Sequence, residues 1–283
     1  MPINLNLKSG IKYVPFDFEK YVQSLKEDSS LFASFKYFNT VTDNWLELLR
    51  KEDERLKDNI YLEKLSQEEE SRRKAYVSQN KKQGYEVFDH QLDFNCGESF
   101  VMHYDIEKIH ASVNHYNIEP VQIDITNSLI KYNQTEFFQE KVNDNTPIYI
   151  SFTPLINNPY TVIDGNKRCT AKVAKGITVL QGYTIENATT TLMFEIDKLF
   201  YKFLYEMHLI HIQLSMGEKN HKKLWKNSFI YRIVTDGGIE DYNHNTFDSY
   251  IKRSYENINS LDSKKENNDN SFKQRIINLF KRS

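Results

Sequence analysis

Runs with strand periodicity alternate with short helical runs between Tyr85 and Glu186. Apolar residues at every second position indicate half-buried strands, as in "VQIDI" at 121–125 and "PIYISF" at 147–152. Turn signals such as "INNP" separate these runs. The alternation predicts a compact mixed α/β unit, and with the helical segments around it an α+β fold.

Helical segments flank this unit on both sides. Residues 42–82 contain neither Gly nor Pro, and Asp43 is a predicted N-cap. Residues 187–217 place apolar side chains on one stripe and end at Gly217. The expected organisation is a helical N-terminal region (1–84), the α/β core (85–186), a helical C-terminal region (187–262), and a polar linker with an amphipathic tail (263–283).

Several local predictions remain open or provisional. The charged part of 42–82 favours a surface helix or a helix pair, with a coiled-coil arm as the alternative. "QTEFFQEKV" at 134–142 and "NHKKLWKNSFIYRIV" at 220–234 each predict one helix, and "DYNHNTFDSYIKRSYENI" at 241–258 predicts a last one. The tail at 272–282 would dock on a partner, an anionic membrane or its own domain. Residues 1–40 show no clear period and receive no assignment.

Composition narrows the classes of protein. The chain has 283 residues, 39% hydrophobic and 27% charged, as expected of a soluble globular protein. A net charge of −2 argues against coating nucleic acid by bulk electrostatics and leaves a local basic patch open. No apolar run approaches the roughly 20 residues of a membrane span. Cys96 and Cys169 have no CxxC spacing, and no signal-peptide pattern is present, so we expect a cytoplasmic location.

The stretch with the clearest chemistry is "NPYTVIDGNKRCTAKVAKG", residues 158–176. An apolar strand ends at Asp164–Gly165, and a helix with small residues follows. The first turn of a helix presents free N–H groups and a partial positive charge, which attract phosphates. Glycine at such a junction lets the backbone approach a ligand closely.

These residue types define a candidate phosphate site. Arg168 would grip a phosphate in a bidentate way, and Lys167 would add a point charge. Asp164 has three competing roles, which are helix cap, ligand of a phosphate-bridging Mg²⁺, and proton acceptor from a hydroxyl. The stretch lacks the GxxxxGK[ST] and GxGxxG runs of other nucleotide folds. The phosphate-binding candidates from this stretch are Gly165, Asn166, Lys167, Arg168 and Thr170.

Residues 121–185 resemble the nucleotide-binding core of the ParB/sulfiredoxin superfamily. Gly165, Arg168 and Ala171 fit its G-x-x-R-x-x-A segment, and "VID" at 162–164 fits the end of its preceding strand. The upstream stretch "VQIDITNSLIKYNQTEFFQEKV" is similar to the family's opening strand, polar loop and first helix. The resemblance implies a sulfiredoxin-like mixed sheet that handles nucleotides.

Members of the superfamily differ in activity. ParB proteins bind and hydrolyse CTP while clamping DNA, sulfiredoxins use ATP, and related serine kinases transfer phosphate. The resemblance therefore implies a nucleoside triphosphate with Mg²⁺, and an NTP hydrolase, a phosphotransferase or a nucleotide switch, with Asp164 as the catalytic and metal-binding residue.

This chain also departs from the family pattern. Asn166 stands where sulfiredoxins carry their cysteine, and Lys131 stands in the place of the first arginine of ParB. A DNA-reading helix-turn-helix is not evident after Glu186, where one long aromatic-rich helix is predicted. The closest style is the "DGxxR" version found in GmrSD-type restriction proteins, without their nuclease domain.

A second hypothesis is a non-catalytic module that binds DNA or a protein, in a phage- or plasmid-related bacterial system, with a homodimer as one arrangement. Lys222, Lys223 and Lys226 beside Trp225 would contact a nucleic-acid backbone, although an amphipathic helix explains them equally well. A nuclease is the weaker option, because no metal-ligand set accompanies Asp164.

The remaining polar candidates favour structural roles. His103, His110 and His115 form one group and His208 and His211 another, without the spacing of a metal motif. Cys169 has no His or Asp neighbour that would lower its pKa, so a small buried residue is favoured.

Overall fold

A computed structural model describes residues 3–6, 10–79, 86–115, 117–236 and 244–265. It has the α+β class that the sequence predicts, with a mixed sheet flanked by helices. The N-terminal elements are β1 (Ile3–Asn6), β2 (Gly10–Tyr13), α1 (Phe18–Asp28), α2 (Ser30–Ser34), α3 (Phe38–Leu56) and α4 (Asn59–Gln79).

The N-terminal region contains more structure than its sequence indicates. β1 and β2 form an antiparallel hairpin. Asp17 caps α1 by accepting a hydrogen bond from the Lys20 amide at 2.8 Å. α3 begins at Phe38, so Asp43 lies inside a helix and its prediction as the N-cap is wrong. The run at 42–82, which contains no Gly or Pro, forms a pair of helices, because the chain turns at 57–58 before α4 begins.

The central sheet has the strand order β5-β9-β7-β8-β6. Its strands are β5 (Val121–Asp124), β6 (Ile130–Lys131), β7 (Ile148–Phe152), β8 (Tyr160–Asp164) and β9 (Val179–Ile185). β7 pairs with β8 in antiparallel and with β9 in parallel orientation, and β6 pairs with β8 in parallel orientation. α6 (Asn166–Val173) packs on one face through Cys169, which joins a small core with Ile148, Ile150 and Val162.

The opposite face of the sheet is covered by a second hairpin. It consists of β3 (Val87–Asp93), at the start of the region with predicted strand periodicity, paired with β4 (Ser99–Asp105), which the sequence does not indicate. Ser151 donates a hydrogen bond to the Tyr104 hydroxyl at 3.2 Å, and His90 Nε2 lies 3.1 Å from Thr161 Oγ1. The hairpin leads directly into α5 (Ile106–His115).

The helix predicted at 134–142 is wrong. Only a 3₁₀ turn at Gln139–Lys141 forms there. The amides of Asn133 and Thr135 donate to side chains of α6, at 2.7 Å and 3.1 Å. These bonds hold the start of the segment against α6 as a loop.

The C-terminal region is built around one central helix. The helices are α7 (Glu195–Ser215), α8 (His221–Asn227), α9 (Phe229–Asp236) and α10 (His244–Lys265). The helix predicted over 187–217 does not include residues 191–193. The Thr191 carbonyl and the Met193 amide hydrogen-bond with β4 instead. The helix predicted at 220–234 is two helices, since the Ser228 hydroxyl caps α9 by accepting from the Tyr231 amide.

The last predicted helix is confirmed as α10, from His244 onward. The amphipathic tail predicted at 272–282 lies outside the described residues. Within the described part of the chain, no helix combines the length and the apolar character that a membrane crossing requires.

Glu206 of α7 is a fully buried carboxyl that joins four helices. It accepts hydrogen bonds from Trp45 Nε1 of α3 at 2.5 Å and from the amides of Phe229 and Ile230 at the start of α9. Tyr250 of α10 also hydrogen-bonds to it. Burial raises the pKa of Glu206 to about 7, although these hydrogen bonds oppose the increase.

The raised pKa of Glu206 predicts a pH-dependent stability. Between pH 4.5, where the unfolded carboxyl titrates, and about 7, the folded state holds a proton that the unfolded state releases. Stability therefore falls as the pH rises through this window, by on the order of 3 kcal/mol from this group. Urea unfolding of wild type and Glu206→Gln at about pH 5 and about pH 8 checks this, and wild type should lose more stability than the variant. Glu47→Gln on exposed α3 surface is the control, and equal losses in wild type and Glu206→Gln would contradict the assignment.

Candidate functional site

The corner between β8 and α6 requires a glycine. Gly165 has a φ of 102° and stands at the N-cap of α6, where it has no side chain to cap the helix. A Cβ atom at this position would lie 2.6 Å from Ile148 Cγ2 and 2.9 Å from Arg168 Nη2. Both the backbone conformation and the space therefore exclude a side chain. The strand–turn–helix predicted from residues 160–176 is present, and the turn after α6 ends at Gly176, with a φ of 76°.

Arg168 folds back over this corner. The residue is only 8% exposed, and its guanidinium lies against Gly165. Its Nη2 is 3.4 Å from Asp164 Oδ1, which is long for a charge-assisted hydrogen bond. Its buried Nε has no hydrogen-bond partner among the described residues. The guanidinium is therefore close to one carboxylate but incompletely hydrogen-bonded.

Asp164 lies between two cationic or ionisable groups. Besides Arg168, it contacts His110 of α5, whose Nε2 is 3.1 Å from Asp164 Oδ2. Burial would raise the pKa of Asp164, but the hydrogen bond from His110 and the charge of Arg168 outweigh it and hold that pKa below its usual value. Asp164 is therefore ionised at neutral pH, which suits charge pairing or metal binding better than accepting a proton.

An aromatic row extends from this cluster across the sheet. The His110 ring lies on Tyr149 with centroids 4.5 Å apart, and Tyr149 is 5.0 Å from Tyr183. The strand register produces the row, because Tyr149 is paired with Asp164 on β8 and with Tyr183 on β9. Sequence reasoning did not connect His110 to the site, since it lies 54 residues before Asp164.

The other candidates from the sequence lie around the corner in different roles. Asn166 Oδ1 and Thr170 Oγ1 accept the amides of the loop after β6, as described above. Lys167 is exposed, and its Nζ lies over the Phe138 ring of the same loop at 5.1 Å. Lys131 does not join Arg168, because the β6–β8 register places it opposite Thr161, near the start of β8. The structure thus brings together Asp164, Gly165 and Arg168, with Asn166, Lys167 and Thr170 holding the adjacent loop.

Other polar candidates are explained by packing. Cys169 is fully buried, as predicted, and burial raises the pKa of its thiol to about 12. His103 Nδ1 lies 2.9 Å from Asp197 Oδ2, and both side chains are buried between β4 and α7. In the described ranges, no three His, Cys, Asp or Glu side chains gather as a metal site.

Trp225, the candidate stacking residue in the basic stretch on α8, packs against other aromatic rings of the protein. The Trp225 ring stacks on Tyr37 with an interplanar angle of 11° and packs edge-on against Tyr231. Lys222, Lys223 and Lys226 remain exposed beside it. The half-buried aromatic ring is therefore packed against two other rings, and the lysines remain as surface charge.

Comparisons with known proteins give little further constraint. No protein-family model matches the chain, and no curated protein matches it. Among solved structures, the C-terminally truncated chromosome-partitioning protein ParB from Caulobacter crescentus, complexed to the centromeric parS site, is weakly similar. The sequences are 12% identical, the TM-score is 0.20, and the similarity covers 50% of this chain and 68% of that one. The site is therefore interpreted from its own geometry.

The crowding at Gly165 predicts a specific stability loss. Gly165→Ala should destabilise the protein by about 2–4 kcal/mol, because it adds a clash with Ile148 to an unfavourable φ. Gly97→Ala is the matched control, since Gly97 also has a positive φ but no atom lies within 4 Å of its would-be Cβ. Urea unfolding should show the larger loss at Gly165. Equal losses at both positions would mean that the contact with Ile148 is easily relieved.

Proposed function

We propose that the protein binds a nucleoside triphosphate with Mg²⁺, through the phosphates, at the β8–α6 corner. The observation that carries the proposal is Arg168, a nearly buried guanidinium with an unpartnered Nε beside the glycine that starts α6. The nature of the ligand follows from the sequence resemblance at residues 162–171, which implies a nucleotide.

The energetics of Arg168 support an anionic ligand. A buried charge with unmade hydrogen bonds is costly, whereas a charge-assisted pair recovers much of that cost. Asp164 offers only one long contact to it. A phosphate oxygen near Gly165 would accept from Arg168 and from the free amides in the first turn of α6. Arg168 pairs with Asp164, and Lys167, whose Nζ lies over Phe138, adds a second cation at the start of α6, so the local charge balance favours a negative ligand.

Asp164 is the candidate ligand of Mg²⁺. This ion keeps several water and phosphate oxygens in its shell and needs only one or two protein carboxylates. The lowered pKa of Asp164 keeps it ionised, and His110 holds its second oxygen. In this proposal, hydrolysis or phosphotransfer would depend on a metal positioned by Asp164 and not on proton abstraction by that residue.

Binding measurements test this proposal directly. Isothermal titration with ATP, CTP and GTP, each with Mg²⁺, should detect binding of at least one nucleotide by wild type. Arg168→Ala should weaken that binding by about tenfold or more, the value of a lost charge-assisted contact. Arg50→Ala, which removes an equal charge from exposed α3 surface, should leave it unchanged.

The role of the metal has its own readout. Chelation of Mg²⁺ should weaken nucleotide binding by wild type. In Asp164→Asn, binding should be the same with Mg²⁺ and with the ion chelated.

Absence of binding by wild type would reject the proposal and leave the non-catalytic binding module as the interpretation. Binding that survives Arg168→Ala unchanged would place the nucleotide elsewhere, and release of phosphate by wild type would distinguish an enzyme from a binding protein.

A further inference from the structure

Three rings stand in a row on the face of the central sheet that the β3–β4 hairpin covers. They belong to His110, Tyr149 and Tyr183, with successive centroids 4.5 Å and 5.0 Å apart and tilts of 34° and 35°. Tyr149 is two positions before Ser151, which hydrogen-bonds to the hairpin, so both side chains lie on that face. Ile185, two positions after Tyr183, packs against the main core. The row therefore marks the border of the covered part of the sheet.

Beyond this row the same face of the sheet is exposed. Gln181 and Val179 precede Tyr183 at alternate positions of β9, so their side chains point to the same face. Both are exposed, as are their pairing partners Gln122 and Asp124 on the edge strand β5. These four side chains define an open β5–β9 surface, and Tyr183 lies along its border.

Tyr183 is accessible from this open side. The residue is half-buried, and among the described residues Tyr149 is the only ring in contact with it. Its hydroxyl makes no hydrogen bond within the described ranges and is not enclosed, so it meets solvent. One side of the ring is thus occupied by Tyr149, and the exposed remainder can contact a ligand.

The row begins at the β8–α6 corner. Tyr149 is paired with Asp164 on β8 and with Tyr183 on β9, so the three residues lie in line across adjacent strands. Adjacent strands are about 4.8 Å apart, which puts Tyr183 roughly 10 Å from Asp164. Burial raises the pKa of Tyr149, the charges of Tyr183 and Asp164 add to the increase, and that of Arg168 opposes it. The middle ring therefore lies within reach of both charges of the corner.

Charge sets the orientation of a ligand that spans the corner and the open surface. Arg168 and the first-turn amides of α6 attract an anion to the corner. Asp124 is the charged member of the β5–β9 surface, and its acidic side chain disfavours phosphates at that end. An uncharged planar group suits the end at Tyr183, because it can stack on the ring. A nucleotide carries these two parts at its opposite ends.

We propose that Tyr183 stacks against the base of the nucleotide whose phosphates occupy the β8–α6 corner, an inference that rests on the function proposed above. The phosphates would lie at Gly165 and Arg168, the sugar would pass beside Tyr149, and the base would pack on Tyr183 over the start of β9. Every nucleobase has an aromatic face, so this ring adds affinity for a base without selecting one.

A ligand without a base isolates this contact. In isothermal titrations with Mg²⁺, Tyr183→Ala should weaken the binding of a nucleoside triphosphate by about tenfold, the value of one stacked base. The same variant should bind inorganic tripolyphosphate as wild type does. The two ligands differ in charge, so the effect of the variant on each ligand is compared, and not their absolute affinities. Tyr183→Phe should keep the wild-type affinity for the nucleotide, because stacking uses the ring and not the hydroxyl.

Tyr61→Ala is the matched control, since it removes another half-buried tyrosine ring, on α4, and it should change neither affinity. Urea unfolding of each variant without ligand measures any general loss of stability. If Tyr183→Ala weakens tripolyphosphate binding as much as nucleotide binding, Tyr183 supports the corner structurally and the proposed base contact is wrong.

The two proposals fail in different ways. Absence of nucleotide binding by wild type rejects the phosphate site and the base contact together. Nucleotide binding that Arg168→Ala weakens and Tyr183→Ala leaves unchanged keeps the phosphate site and rejects the base contact alone. Loss of both ligands in Arg168→Ala, with selective loss of the nucleotide in Tyr183→Ala, supports both.

Discussion

The buried carboxyl of Glu206 is the interaction on which the rest of the architecture depends. It accepts hydrogen bonds from the Phe229 amide at the start of α9 and from the indole of Trp45, inside an otherwise apolar core. These bonds fix α3 and α9 on α7. The same helix reaches the sheet through the Tyr201 hydroxyl, which donates to the Phe152 carbonyl at 3.1 Å, and the β3–β4 hairpin through Asp197. Because α5 continues from β4, this frame also sets where His110 meets β8.

The strand, glycine and helix of the β8–α6 corner are predictable from the sequence, but the residues that contact Asp164 from elsewhere in the fold are not. The end of the strand, the glycine and the helix follow one another in the chain, so pattern and turn chemistry were sufficient. His110 and Tyr149 reach Asp164 only through helix placement and strand register, which no spacing encodes. Lys131 was placed with Arg168 by resemblance alone, and the parallel pairing of β6 with β8 puts it opposite Thr161 instead.

The same distinction explains the errors in the elements. Strands that alternate in burial were found, whereas β4 was missed because most of its positions are buried and show no period of two. The helix expected at 134–142 had suitable local residues, but the amides of its leading segment bond to α6. α3 begins before Asp43, the predicted N-cap, because Val41 packs into the core. In each case a tertiary contact prevailed over local propensity.

The loop along α6 links two separate parts of the molecule. Lys131 lines a small hollow beside β3, and two positions later the Asn133 amide donates to Asn166 Oδ1 in the first turn of α6. This short tether therefore joins the end of β6 to the first turn of α6. If ligands at the two ends favour different positions of the tether, thermodynamic reciprocity requires each to change the affinity of the other by the same factor.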